Sequence, residues 1–223
     1  IPYLAKLGVD MVWLNPFYPS PQHDNGYDIS DYTAVNPLFG SMDDFEEMIQ
    51  VGKEYRIEFM LDMVLNHCST EHEWFQKALA GDNYYQDFFF LRDEPTDWLS
   101  KFGGSAWAPF GDTGKYYLHL YDVTQADLNW HNPHVREELF KVVHFWLDKG
   151  VKGFRFDVIN VIGKDEILEN CPENDGKPAY TDRPIVHEYL HMLNEETFGT
   201  DEAIMTVGEM SATNIENCIL YTA

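Results

Sequence analysis

The chain has 223 residues, enough for one large domain, and its 15 Lys and Arg against 38 Asp and Glu give a formal net charge of −23. That balance argues against nucleic acid and anionic membranes as partners, because both repel such a surface at long range, while 44% hydrophobic and 15% aromatic residues are ample for a packed core rather than a disordered chain. Three cysteines, Cys68, Cys171 and Cys218, with no C-x-x-C pair, speak against a disulfide framework or a zinc site and for a cytoplasmic, reducing setting.

The first residues, Ile1-Pro2-Tyr3, resemble neither a signal peptide nor a native start, so the chain reads as an excerpt. Leu4 to Leu7 read as the end of a helix stopped by Gly8, and Asp10 to Leu14 as a short strand ending at Pro16. After a polar loop over 20–40, Ser41 has the character of an N-cap, with Phe45, Met48 and Ile49 on one helical face. Ile57 to Leu65 is strand-like with a single charge, Asp62, and closes on Asn66-His67. The aromatic, turn-rich stretch to His131 is long for a loop and is expected to be an inserted subdomain. Helical spacing returns from Val135 to Leu147, Val151 to Val158 is the next strand, Ile185 to Leu193 is helical, and Ala203 to Val207 is the last strand. No apolar run approaches the roughly 20 residues of a membrane span.

This strand–helix alternation predicts an α/β fold with parallel strands and right-handed crossovers, either a doubly wound sheet or part of a (β/α)8 barrel. Polar residues at strand ends favour the barrel, whose active sites lie at that end. Asn66-His67, Arg155 with Asp157, and Glu209 occupy three such ends. Residues two apart on a strand share a face, so Arg155 and Asp157 point together while Phe154, Phe156 and Val158 face the helices. A guanidinium there is expected to hold the Asp157 pKa down, as a nucleophile needs. Glu209 has no base nearby in sequence and is the better candidate for a protonated carboxyl. One ionised and one protonated carboxyl suit a retaining glycosidase, with the groups roughly 5–5.5 Å apart. From pattern alone, a structural Arg155–Asp157 ion pair and a surface Glu209 fit equally well. His67 reads as readily as a satisfied core histidine, Asp24 to Asp28 as a plain turn, Tyr84 to Phe90 as core, and residues 173–176 as a turn rather than a calcium loop.

Read together, the motifs decide. DMVLNH (62–67), GFRFDV (153–158) and TVGEM (206–210) resemble three ordered signature strands of glycoside hydrolase family 13, the α-amylase superfamily, and DNGYDIS (24–30) resembles the sugar-binding loop of its oligosaccharide-hydrolysing branch. The resemblance implies part of a (β/α)8 TIM barrel, about strands 2 to 5, over residues 1–67 and 132–223, with domain B inserted over 68–131 after the third strand. It implies Asp157 as nucleophile, Glu209 as general acid/base, Arg155 as the arginine orienting the nucleophile, and His67, Asp24 and Tyr27 lining the non-reducing glucose subsite. Phe102 is a weaker candidate for the wall on the leaving-group side. Cys68 stands where the family usually has Thr.

Segments such as SKFGGSAW, QADLNW and MTVGEMSATNIENC resemble most the branch acting on trehalose 6-phosphate, with the α-1,6-glucoside-hydrolysing branch next; Val158 after the nucleophile fits both. The expected partner is thus a small sugar, trehalose 6-phosphate or an α-1,6-glucoside. Its phosphate would need local cations, for which Arg92, Lys101 and Arg183 are candidates. No cofactor is expected. The family's third essential Asp and its first strand, with the loop that can hold a structural calcium, have no counterpart here, so the chain by itself is expected to be inactive and to fold poorly. A non-catalytic relative would be expected to lose Asp157 or Glu209, and a nucleotide-binding domain would need a Gly-rich loop after its first strand; neither fits.

Overall fold

A computed structural model describes residues 1–173 and 175–222. In chain order the elements are α1 (Pro2–Lys6), β1 (Met11–Leu14), α2 (Met42–Tyr55) and β2 (Glu58–Met63), then β3 (His67–Ser69), α3 (Glu73–Leu79), α4 (Asn83–Gln86), β4 (Leu91–Arg92), β5 (Trp107–Pro109), β6 (Tyr116–Leu118) and β7 (Gln125–Asp127). The chain closes with α5 (Pro133–Asp148), β8 (Gly153–Phe156), α6 (Ile185–Leu193), β9 (Met205–Gly208) and α7 (Ile215–Leu220). The turn expected at 173–176 includes Asn174, which lies outside the described residues.

Strands β1, β2, β8 and β9 pair in that order, all parallel. Each new strand adds on the same side as the last. A doubly wound sheet reverses its strand order at a switch point; this one does not, and it forms an arc of a (β/α)8 barrel. Its edges are β1 and β9, where Trp13, Met205 and Val207 are exposed.

Helix α2 begins with a capping box: the Ser41 hydroxyl accepts from the Asp44 amide at 3.2 Å, and Asp44 accepts from the Ser41 amide at 2.7 Å. Its Phe45 meets Trp146 of α5 edge-on at 5.0 Å, and Phe17 stacks on Phe45 at 5.4 Å. Trp146 is fully buried and donates its indole N–H to the Tyr32 carbonyl at 2.8 Å, which ties the helices to the loop before α2. Gly52 lets α2 lie close on β2: a Cβ there would come within 2.7 Å of the Ile57 carbonyl oxygen and 2.5 Å of the Phe59 ring.

On β8, Phe154 and Phe156 turn outward onto Phe198, 6.1 and 5.9 Å away, and Arg155 takes the opposite face. Val158 departs from the sequence expectation. The strand ends at Phe156, and Val158 adopts φ +40°, the left-handed region, starting a short 3-10 turn. Its side chain leaves the helix-facing layer and joins a second apolar cluster with Phe90, Trp98, Leu118 and Tyr180. Between β2 and α5, β3 pairs antiparallel with β7, and β4, β6 and β5 form a small antiparallel sheet. That second cluster welds this sheet to the turn that follows β8.

Candidate active site

The sheet's hydrogen bonding continues past the strand ends. The Asp157 amide donates to the Met63 carbonyl at 3.0 Å, the Glu209 amide to the Phe156 carbonyl at 2.9 Å, and the Ile159 amide to the Glu209 carbonyl at 3.1 Å. Asp157 and Glu209 are therefore held side by side at the C-terminal edge of the sheet, next to the end of β2. Register places Asp62 directly opposite Arg155. The Arg155 guanidinium donates through Nη1 to Asp62 Oδ1 and to Asp157 Oδ1, both at 2.6 Å, and its Nη2 lies 2.7 Å from Glu209 Oε2. Tyr27 donates its hydroxyl to the other oxygen of Asp62 at 3.1 Å, and the Arg155 guanidinium lies over the Trp13 ring at 5.2 Å.

This geometry corrects two expectations. Glu209 is not without a base: besides Arg155 it accepts from the Val158 amide at 3.2 Å. Asp157 is not held down. Burial pushes its carboxyl up to about 8, with Arg155 opposing and Asp62 and Glu209 adding to the rise. One guanidinium serves three carboxylates, so it cannot fully neutralise any of them. Asp157 and Glu209 both contact the Arg155 guanidinium, which makes them near neighbours at the ends of adjacent strands. Burial also raises Asp62, opposed by Arg155 and Tyr27.

A second group lies beside the first. Gln125 donates to Asp24 Oδ2 at 2.8 Å and approaches the His67 ring at 3.2 Å, while Asn66 reaches the other ring nitrogen at 3.1 Å. Burial, with the nearby Lys164, pushes His67 down to about 3, so its ring is neutral. Beneath it, Asn66 donates to Asp127 at 3.0 Å, and the fully buried Lys164 donates to Asn66 Oδ1 and the Val161 carbonyl, each at 2.9 Å. Asp24 sits on a loop shaped by the buried Asp28, which accepts from Ser20 Oγ at 2.7 Å, the His23 amide at 2.9 Å and the Asp24 amide at 3.2 Å. Burial raises the Asp24 carboxyl. Thus Asp157, Glu209, Arg155 and Tyr27 meet in one cluster, and Asp24 and His67 in its neighbour. Phe102 is exposed, edge-on to Tyr121 at 5.8 Å. Among the described residues, no three His, Cys, Asp or Glu side chains are placed to hold a metal ion, and no helix is long and apolar enough to cross a membrane.

Sequence reasoning missed Asp62, Gln125, Asp127 and Lys164 as parts of the site. Asp62 had a signal, the single charge in an otherwise apolar strand. The others had none, because their meeting depends on the fold of β3 against β7.

The alpha-amylase catalytic-domain family model matches residues 1–223. The chain belongs to the α-amylase family. It is 50% identical over 227 residues to the trehalose-6-phosphate hydrolase of Bacillus subtilis (strain 168), covering 99% of this chain and 40% of that protein. It is 43% identical to the oligo-1,6-glucosidase of Bacillus cereus, with 99% and 41% covered. The crystal structure of Bacillus licheniformis trehalose-6-phosphate hydrolase superposes with a TM-score of 0.96 at 50% identity, covering 99% of this chain and 41% of that one. The chain thus spans about 40% of the length of the relatives it matches, and within the α-amylase family barrel it forms an arc.

Proposed function

We propose that this chain supplies the nucleophile and the acid/base of a retaining α-glucosidase that hydrolyses trehalose 6-phosphate to glucose and glucose 6-phosphate. The observation that carries the reading is the Asp157–Glu209 pair, held together on Arg155 at the ends of adjacent parallel strands. In the first step an Asp157 carboxylate oxygen attacks the anomeric carbon, and the bond to the glycosidic oxygen breaks as Glu209 gives that oxygen its proton. In the second, Glu209 takes a proton from water as the water oxygen attacks the same carbon and Asp157 leaves. Arg155 orients Asp157, while Asp24, Tyr27 and His67 line the subsite of the glucose that becomes bound; a neutral His67 can donate one ring N–H and accept at the other nitrogen. The three cysteines are unpaired, which supports a reducing, cytoplasmic setting.

The phosphorylated disaccharide is favoured by the 50% identity to a trehalose-6-phosphate hydrolase, against 43% to an oligo-1,6-glucosidase; the second reading is hydrolysis of α-1,6-linked isomalto-oligosaccharides. Comparing kcat/KM of the full-length enzyme for trehalose 6-phosphate, trehalose and isomaltose, with Asp157→Asn as the blank, separates the two. A strong preference for the phosphorylated disaccharide, abolished in the blank, is expected. Equal or better turnover of isomaltose would leave the second reading.

A further inference from the structure

A substrate phosphate carries about −1.5 to −2 charges at neutral pH, and the chain that must receive it has a net charge of −23. Its cations are therefore informative by position. Of the three candidates from the sequence, two are already committed. Arg183 is bonded to Asp165 at 2.8 Å and to the Pro178 carbonyl at 3.0 Å, and Arg92 donates to the Leu168 carbonyl with its guanidinium over the Trp107 ring.

Lys101 differs. Among the described residues no carboxylate lies within ion-pair distance of its ammonium, a feature it shares with Lys6, Lys53 and Lys115, whereas Lys77, Lys141, Lys149, Lys152, Lys164 and Lys177 each have one. Its Nζ donates instead to Ser211 Oγ at 2.8 Å and lies over the rings of Tyr121 and Tyr180, at 5.7 and 5.3 Å. Ser211 is two residues beyond Glu209, and its backbone is pinned on both sides by the fully buried Asn160: the Asn160 amide donates to the Ser211 carbonyl at 2.9 Å, and Asn160 Oδ1 accepts from the Ser211 amide at 2.7 Å. Lys101 is likewise fixed, its amide donating to the Leu120 carbonyl at 2.8 Å. A lysine and a serine from segments 110 residues apart thus meet beside Glu209, the residue that protonates the leaving sugar.

We infer that Lys101 and Ser211 form an anion seat on the leaving-group side of the site, which takes the phosphate ester of the departing sugar. The inference rests on the phosphorylated-substrate reading above. An ammonium has three N–H donors; one is spent on Ser211, and the others are available to phosphate oxygens, with the Ser211 hydroxyl as a further donor. Burial and the nearby Lys177 hold the Lys101 ammonium below the usual lysine range, and an arriving dianion relieves both effects.

The test is the ratio of kcat/KM for trehalose 6-phosphate to that for trehalose, measured on the full-length enzyme and its Lys101→Gln, Lys101→Arg, Ser211→Ala and Arg183→Gln variants. Losing a charge-assisted contact is worth about ten- to a hundredfold, so Lys101→Gln is expected to lower the ratio by that factor through KM. Lys101→Arg should keep most of the ratio, Ser211→Ala should lower it less, and Arg183→Gln should leave it where it is. Should Lys101→Gln not fold, Ser211→Ala read against Arg183→Gln decides. A ratio unchanged in Lys101→Gln, or an equal loss on both sugars, overturns the anion seat while leaving the phosphorylated-substrate reading standing. A wild-type ratio near one overturns both.

Discussion

Arg155 holds Asp62, Asp157 and Glu209 on a single guanidinium, and the acid–base behaviour of the site follows from that sharing. Asp62 helps to raise Asp157, so Asp62→Asn should lower the Asp157 pKa and move the acid limb of the kcat/KM profile, where the nucleophile ionises, to lower pH. An unmoved limb would show that Asp62 acts only as a prop. The same shift has a stability sign. Asp157 is raised in the folded state, so its contribution is fully present below the unfolded carboxylate pKa of about 3.9 and is lost as pH rises through about 8. Asp157→Asn should therefore raise Tm at pH 7–8 by a few degrees while abolishing turnover, and calorimetry on the full-length protein checks this. At this scale the sequence showed much: period-two geometry put Arg155 beside Asp157. It could not show that Glu209 reaches the same guanidinium, because the pairing of β8 with β9 joins residues about 50 apart in the chain.

Among the elements, α2, α5, α6 and the four parallel strands were legible, because capping chemistry and 3.6-residue periodicity are local signals. Helix α6 was read over its full extent, while β8 proved shorter, since Val158 turns away into the second apolar cluster. The sequence reads 68–131 as an inserted subdomain in which regular spacing breaks, and the structure builds two small antiparallel sheets there: β5–β6 is a local hairpin, while β3–β7 joins the two ends of the stretch. The fit of α2 on β2 is tight at Gly52. Gly52→Ala should destabilise the protein by about 1–3 kcal/mol, read as a fall in the denaturant midpoint at unchanged slope. A neutral or stabilising result would show that α2 can lift off β2 at no cost.

For the molecule as a whole, two buried histidines set the acid limit of stability. His67 is pushed down to about 3 and His72 to about 4, both chiefly by burial. A depressed histidine contributes stability that is present above its unfolded pKa of about 6.5 and lost as pH falls toward the folded value. The histidine contribution should therefore fall below pH 6.5, by up to about 1.4 kcal/mol per pH unit for each ring, while raised carboxyls such as Asp157 oppose it over the same range. The stability of His72→Gln relative to the wild type should thus rise as pH falls from 6.5 to 4, and a difference that does not change with pH would contradict the burial of the His72 ring.

The central claim is that Asp157 forms the bond to sugar and Glu209 moves the proton. It is tested most directly by trapping. The full-length Glu209→Ala variant, incubated with a glucoside bearing an activated leaving group, should accumulate a glucosylated enzyme, and peptide mass spectrometry should place the added hexose on Asp157. A hexose on any other residue, or release of product of inverted configuration with no labelled enzyme, would contradict it.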